Sequence, residues 1–299
     1  MQRQPLYIET TINCELDDLW EHTQNPEKHQ QWDLRFSTIE YLPKDKPDDP
    51  QRFLYSRKVL FACVKGIGEI VGVKSKENGE ATSALKFSSD DSISLIKSGS
   101  GYWKYIPGTK GIRFLTGYNY TTRWGFLGKL IDKVLFRPLM TRATAWSFDC
   151  LKNWLEKGIH PREAFTAQLS VFLTNLTLAI IWIYHGIFPK VLFPHSGEYQ
   201  FLQKASIFPG HEITALFCFG IMEICFGLLL LLWQTKYTHY CNILALIALA
   251  AGAFWFDPYS FVKPFDPFTL NLAMIMLSVI ALCHFDKMPR YKNCIMRQP

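Results

Sequence analysis

The fold class this sequence predicts is an α+β domain, a curved antiparallel sheet around a long C-terminal helix, followed by an all-α bundle of four transmembrane helices. Three observations predict it. Residues 1–163 mix charged side chains with alternating apolar positions. Residues 164–286 contain long stretches with almost no Asp, Glu, Lys or Arg. Within the first stretch, after Gly125, the apolar spacing changes from the period of a strand to that of a helix. With 299 residues the chain exceeds one ordinary domain, and its average composition of 48% hydrophobic residues hides the division between two solvents. The predicted domains are residues 1–158, residues 164–286 and a basic tail at 287–299.

The first domain opens with a strand over residues 6–13. The cluster Asn13, Glu15, Asp17 and Asp18 then opens a short helix through Trp20, its acidic residues suiting a helix N-terminus, and Pro26 closes it. A second short helix over 27–32 leads into strands at 35–42, 51–62, 64–76, 81–89, 93–105 and 111–124. Turn signals at 43–50, Asn78-Gly79, Asp90-Asp91 and Pro107-Gly108 are spaced as an antiparallel meander requires. In the last strand Ile112, Phe114, Tyr118, Tyr120 and Trp124 share one face, and Arg113, Asn119 and Arg123 the other. Beyond Gly125, an apolar stripe through Leu127, Leu130, Ile131, Val134, Leu135, Leu139, Trp146, Leu151, Trp154 and Leu155 predicts a long helix, bent at Pro138 and ended by Gly158.

That order of elements, with Asp17-Asp18-Leu19-Trp20, Pro26 and His29-Gln30-Gln31-Trp32-Asp33, resembles the START-like (SRPBCC) superfamily of helix-grip domains, which includes polyketide cyclase-like and plant allergen-like members. The resemblance covers about the first 158 residues. It implies a cavity for a hydrophobic ligand and does not imply catalysis. The residues expected to line such a cavity are Trp32, Phe61, Phe87, Phe114, Tyr118 and Trp124, for each of which ordinary core packing is the alternative.

In the second half, spans are predicted at about residues 164–189, 211–234, 239–256 and 267–285. Trp233, Tyr237, Tyr240, Trp255, Phe256 and Tyr259 stand where interfacial aromatic belts belong. Soluble helices would show a charged face, and these do not. Lys157, Arg162, Lys236, Lys287, Arg290, Lys292 and Arg297 flank one side, against Lys190, Lys204 and Lys263 on the other. Both termini and the first domain are therefore expected in the cytosol, next to a bacterial cytoplasmic membrane. No secretory signal is read at the N-terminus.

Polar positions recur at helical spacing inside the bundle: Asn175, Ala179, Trp182 and Gly186 on the first helix, and Glu223 between Gly220 and Gly227 on the second. A charged carboxylate in hydrocarbon costs about 2.5–3.5 kcal/mol even on mild scales, so Glu223 is expected to be protonated or paired, with Asn175, Trp182 or a backbone carbonyl as structural partners. An intramembrane polar site is expected from Asn175, Trp182, His185, Glu223 and Asn271. His185, Lys190, Glu212 and Asn271, at comparable depth, are read either as a head-group site or as interfacial residues meeting water. The run Trp182-Ile183-Tyr184-His185-Gly186-Ile187-Phe188-Pro189-Lys190 and the segment 220–227 are similar to the DoxX-like family of small four-helix membrane proteins, over about residues 164–286. That family takes its name from a subunit associated with quinone-linked oxidation.

The net charge of +6 is spread along the chain without a basic stripe, so nucleic acid is not an expected partner. The eight cysteines include no CxxC pair, and His185 and His284 lie near helix ends on opposite membrane sides, so no metal, haem or other cofactor is expected. No trustworthy Ser-His-Asp spacing and no GxGxxG fingerprint is found, which leaves catalysis undecided. Two functions remain in view beside a passive anchor. One is a membrane-anchored module that binds or senses a hydrophobic small molecule next to the bilayer. The other is a component of a quinone-linked membrane oxidoreductase, with quinone as its cofactor. The lipid bilayer is the expected partner, and homo-oligomerisation stays open.

Overall fold

The computed structural model describes residues 4–59, 62–77, 79–195, 197–262 and 266–298. They divide into two compact units, Met1–Ala164 with Pro289–Pro299, and Phe165–Met288.

In the first unit, strand β1 (Leu6–Ile12) is followed by helices α1 (Leu16–Gln24) and α2 (Pro26–Trp32). Asn25 separates the two helices and caps the second, accepting from Glu27 N at 2.9 Å, while Pro26 occupies the first helical turn, where its missing N–H costs nothing. Strands β2 (Thr38–Tyr41), β3 (Gln51–Val59), β4 (Ala62–Ser75), β5 (Ala81–Ser88), β6 (Ile96–Gly108) and β7 (Gly111–Thr122) then form an antiparallel meander. With β1 added beside β7, the seven-stranded order is β1-β7-β6-β5-β4-β3-β2.

The register explains how the sheet curves around a helix. On the inner face, aromatic residues stand directly opposite glycines: Phe53 opposite Gly68, Tyr55 opposite Gly66, Phe87 opposite Gly99 and Tyr118 opposite Gly101. A Cβ on Gly68 would sit 2.1 Å from the Phe53 ring, and one on Gly99 2.4 Å from the Phe87 ring. The rings therefore lie across bare backbone, which lets the sheet bend and gives its inner face a smooth aromatic wall.

The helix that this wall grips is α4 (Arg137–Lys157), closed by Gly158 in the left-handed region at φ 67°. Phe148 on α4 stacks on Phe114 of β7 at 4.5 Å, with Trp32, Tyr105 and Leu151 also fully buried in the same core. The long apolar stripe expected on one core-facing helix is divided. Residues Gly125–Ile131 form α3 and Asp132–Phe136 a π-helical segment that joins it to α4, with Pro138 in α4's first turn. Only the later part of the stripe reaches the core; Leu127, Leu130, Val134, Leu135 and Leu139 are exposed.

The end of the chain, expected as a basic tail, belongs from Pro289 onward to the first unit. Ile295 pairs with Glu9 on the edge strand β1 through two backbone hydrogen bonds of 2.9 Å, and Cys294 is buried in the core. The tail covers an otherwise open strand edge.

The second unit has four helices long and apolar enough to cross a membrane. They are α5 (Pro161–Gly186) continued by a π-helical segment (Ile187–Leu192), α7 (Glu212–Leu232), α8 (Lys236–Phe256) and α9 (Pro267–His284), with a short α6 (Gly197–Lys204) between the first two. The first span runs past its expected end at 189 because the wider turn absorbs Pro189. A proline has no N–H for the carbonyl four residues back, and His185 O accepts instead from Lys190 Nζ at 3.4 Å. Asp266 caps α9, accepting from Thr269 N at 2.8 Å.

Candidate functional site

The structure gathers three of the six expected cavity residues between the sheet and α4: Trp32, Phe114 and Tyr118 are all buried there. Phe87 lies half-buried on the same inner face, over Gly99. Trp124 does not join them; it is the residue before α3, half exposed, with φ 61°. The strand alternation that assigned it inward ends at Thr122, so its face could not be extrapolated. Phe61 lies outside the described residues.

Beside these rings stands a charged group that is not among the expected cavity residues. Trp32 ends α2, and the next residue, Asp33, caps it with its side chain turned inward and fully buried. His29, one helical turn earlier, donates from Nε2 to Asp33 Oδ2 at 2.9 Å. Arg35 wraps back on the same carboxylate, its backbone N donating at 3.0 Å, Nε at 2.9 Å and Nη2 at 2.6 Å. The guanidinium lies 5.6 Å from the centre of the Tyr118 ring, and Tyr118 OH meets Thr144 Oγ1 of α4 at 3.1 Å. His29 is enclosed by rings, 4.9 Å from Trp103 and 5.1 Å from both Trp32 and Phe36.

Electrostatics fix the charge states of this group. Burial alone would raise the Asp33 carboxyl, but the Arg35 charge and the hydrogen bonds of His29 and Arg35 outweigh it and hold Asp33 well below the usual carboxylate range. Burial works against the charge of Arg35 too, and Asp33 reverses that effect. For His29 burial wins over the attraction of Asp33, so the ring's pKa is lowered and it is neutral at pH 7. Arg57 on β3 shares the inner face by register, and burial lowers its pKa against the pull of Asp33. Among the described residues Arg57 has no hydrogen-bond partner. This group thus sets one carboxylate beside two guanidiniums behind an aromatic wall.

The opposite face of the sheet has an open cleft of about 680 Å³, lined by Arg52, Glu69, Lys86, Ser98, Ser100 and Asn119 among others. By register these side chains point away from α4.

In the second unit the expected intramembrane residues form separate groups instead of one site. Trp182 Nε1 donates to Asn242 Oδ1 at 2.7 Å, and Asn242 Nδ2 donates to Ser278 Oγ at 2.8 Å, a chain across α5, α8 and α9. Asn175 is buried, and its amide has no partner among the described residues. Asn271 donates to Leu246 O at 3.4 Å. Glu223 pairs neither with Asn175 nor with Trp182. Its Oε2 lies 2.9 Å from Lys190 Nζ, an ion-pair contact without hydrogen-bond alignment, while Lys190 also donates to Glu198 Oε1 at 2.9 Å. His185 enters this group through its carbonyl. The glycines flanking Glu223 do mark a close approach: a Cβ on Gly220 would lie 2.7 Å from Gly186 O, and one on Gly227 3.0 Å from Ala179 O.

Residues 179–279 match the model of the DoxX-like family. Over 188 residues the chain is 47% identical to the uncharacterized membrane protein YndG of Bacillus subtilis, covering 62% of this chain and 70% of that protein. Among solved structures, the STAR-related lipid transfer protein of Xanthomonas axonopodis aligns with 49% of this chain and 82% of its own, at 15% identity and a TM-score of 0.38. Human StAR-related lipid transfer protein 5 aligns with 50% of this chain and 74% of its own, at 15% identity and a TM-score of 0.37.

Proposed function

This chain belongs to the same family as the membrane protein YndG and carries a DoxX-like domain, and from that premise we propose that its first unit holds a hydrophobic small molecule with an anionic head group. The unit would bind or sense this molecule on the cytoplasmic side of a bacterial membrane, the side favoured by the cations flanking the spans.

One observation carries the reading: the Asp33–Arg35 pair is buried inside an aromatic interior together with the half-buried Arg57. A domain that needed only a stable core would gain nothing from this, since hydrophobic replacement of a buried ion pair is often neutral or stabilising. Charged groups perturbed by burial and by a specific partner gather at functional sites. Asp33 orients Arg35 through Nε and Nη2, and Arg57, with no hydrogen-bond partner among the described residues, has its guanidinium donors to offer a carboxylate or phosphate. The rings of Tyr55, Phe87 and Tyr118 supply apolar surface for the rest of the molecule.

The test uses the full chain in nanodiscs of zwitterionic lipid, with a fluorescent long-chain carboxylic acid and its methyl ester as probes. The acid is expected to bind at least about tenfold more tightly than the ester, and Arg57→Gln to remove that preference, a difference of about 1.4 kcal/mol. Equal binding of acid and ester, or an acid affinity untouched by Arg57→Gln, would end the proposal.

A further inference from the structure

The segment from Trp124 to Leu139 has its polarity inverted. In a helix of a water-soluble domain the apolar face turns inward and the charged face outward. Here Phe126, Leu127, Leu130 and Val134 point out, at 81%, 59%, 47% and 70% exposure, followed by Leu135 and Leu139. The inward positions, one turn apart, are Gly128, Asp132 and Phe136. Gly128 has no room for a side chain, since a Cβ there would meet Arg123 O at 1.8 Å. Asp132, the segment's acid, is buried and accepts from Tyr120 OH at 2.6 Å. The ionised side chains left on the outside of α3 and the π-helical segment are both cations, Lys129 and Lys133.

We propose that this face rests on the surface of the lipid bilayer, with Phe126, Leu127, Leu130 and Val134 entering the head-group boundary and Lys133 meeting an anionic lipid phosphate. The commitment to lipid as occupant rests on two facts. The same chain has four helices able to cross a membrane, and only residues 158–160 separate α4 from the first of them, so a bilayer is always within reach of this domain. The charge also matches: the exposed Lys133 stands beside the apolar face while the segment's acid, Asp132, is turned inward, and an apolar face with a cation at its rim is the pattern that binds an anionic membrane interface. The proposal does not depend on what the interior of the sheet binds.

The experiment places photoreactive p-benzoylphenylalanine at position 126, or at 134, in the full chain reconstituted into vesicles of phosphatidylcholine and phosphatidylglycerol. Position 58, an exposed lysine on β3, serves as reference. Since both test positions are exposed, neither replacement disturbs the core. After illumination, mass spectrometry should find phospholipid adducts at 126 and 134 at least about five times more abundant than at 58. Cross-links to a second copy of the chain, cross-links to peptides of residues 165–288, or lipid adducts no more abundant than at 58 would each overturn it.

Discussion

Asp33 accepts five hydrogen bonds from His29 and Arg35 and its side chain is fully buried, so the stability of the first unit should follow its charge. Asp33→Asn leaves the Arg35 guanidinium buried without a counter-charge and is expected to cost about 3–5 kcal/mol. Acid should act in two steps. The folded pKa of His29 lies below its unfolded value near 6.5, so the unfolded chain binds the proton first and stability falls as pH drops below about 6.5. The folded pKa of Asp33 is depressed, so its contribution is complete above about pH 4 and is lost as pH falls further. Thermal melts of the full chain followed by tryptophan fluorescence should show both steps, with His29→Gln abolishing only the upper one. A melting temperature that ignores pH from 7.5 to 5 in both proteins would refute the assignment. Trp32, Phe114 and Tyr118 were legible as interior residues because strand alternation and aromatic character point the same way. The charged group was not, because Asp33 and Arg35 lie two apart in an irregular stretch between α2 and β2, where no period assigns a face.

Helix and strand identities were readable wherever period and turn signals agreed, and what period could not supply was the face that a helix turns to the core. The stripe from Leu127 to Leu155 has helical spacing throughout, but spacing says only that the apolar residues share a side, not what lies against it. Its first part faces away from the core, and a π-helical segment ahead of Pro138 rotates one part relative to the other. In the membrane-spanning helices the small residues carried the reliable signal. Gly220 faces Gly186 so closely that a methyl group would meet its carbonyl oxygen, and the glycines of α7 were identifiable from their spacing about Glu223. What that spacing did not reveal was the partner of Glu223, since Lys190 lies near the end of α5 and reaches it through the π-helical segment. Gly220→Ala is accordingly expected to destabilise by about 1–3 kcal/mol through overpacking. Gly252 on α8 has open space around its Cβ position, and Gly252→Ala should be neutral or stabilising by up to about 1 kcal/mol. Denaturant unfolding in detergent compares the two directly; similar effects would mean that α5 and α7 do not pack through Gly186 and Gly220.

The polypeptide leaves the first unit once, after Ala164, and re-enters it once, at Pro289. Among the described residues four candidate spans lie in the stretch that separates them, an even number, which is what a tail that returns to the first unit requires. The bonds it makes there are specific. Arg290 N donates to Asp149 Oδ2 at 2.7 Å, Asn293 Nδ2 donates to both Asp149 oxygens at 3.0 and 3.1 Å, and Cys294 Sγ donates to Ala145 O at 3.3 Å. Asp149 is itself buried on α4, so removing the tail strands a carboxylate in the core and uncovers the edge of β1. At about 1 kcal/mol for each hydrogen bond, and more for those to a charged acceptor, ending the chain after Met288 should cost the first unit about 4–6 kcal/mol. The composition of residues 287–299, with its cations and lack of apolar run, reads as a solvated tail, because a docking segment this short announces itself only through the groove that receives it. Limited proteolysis of the intact and shortened chains in nanodiscs measures the difference. Cleavage within residues 4–158 should accelerate at least about a hundredfold in the shortened chain, and more mildly for Asn293→Ala, whose backbone pairing survives. Equal protease resistance of the intact and shortened chains would show that the first unit is complete without its C-terminal strap and that the tail is a passenger on β1.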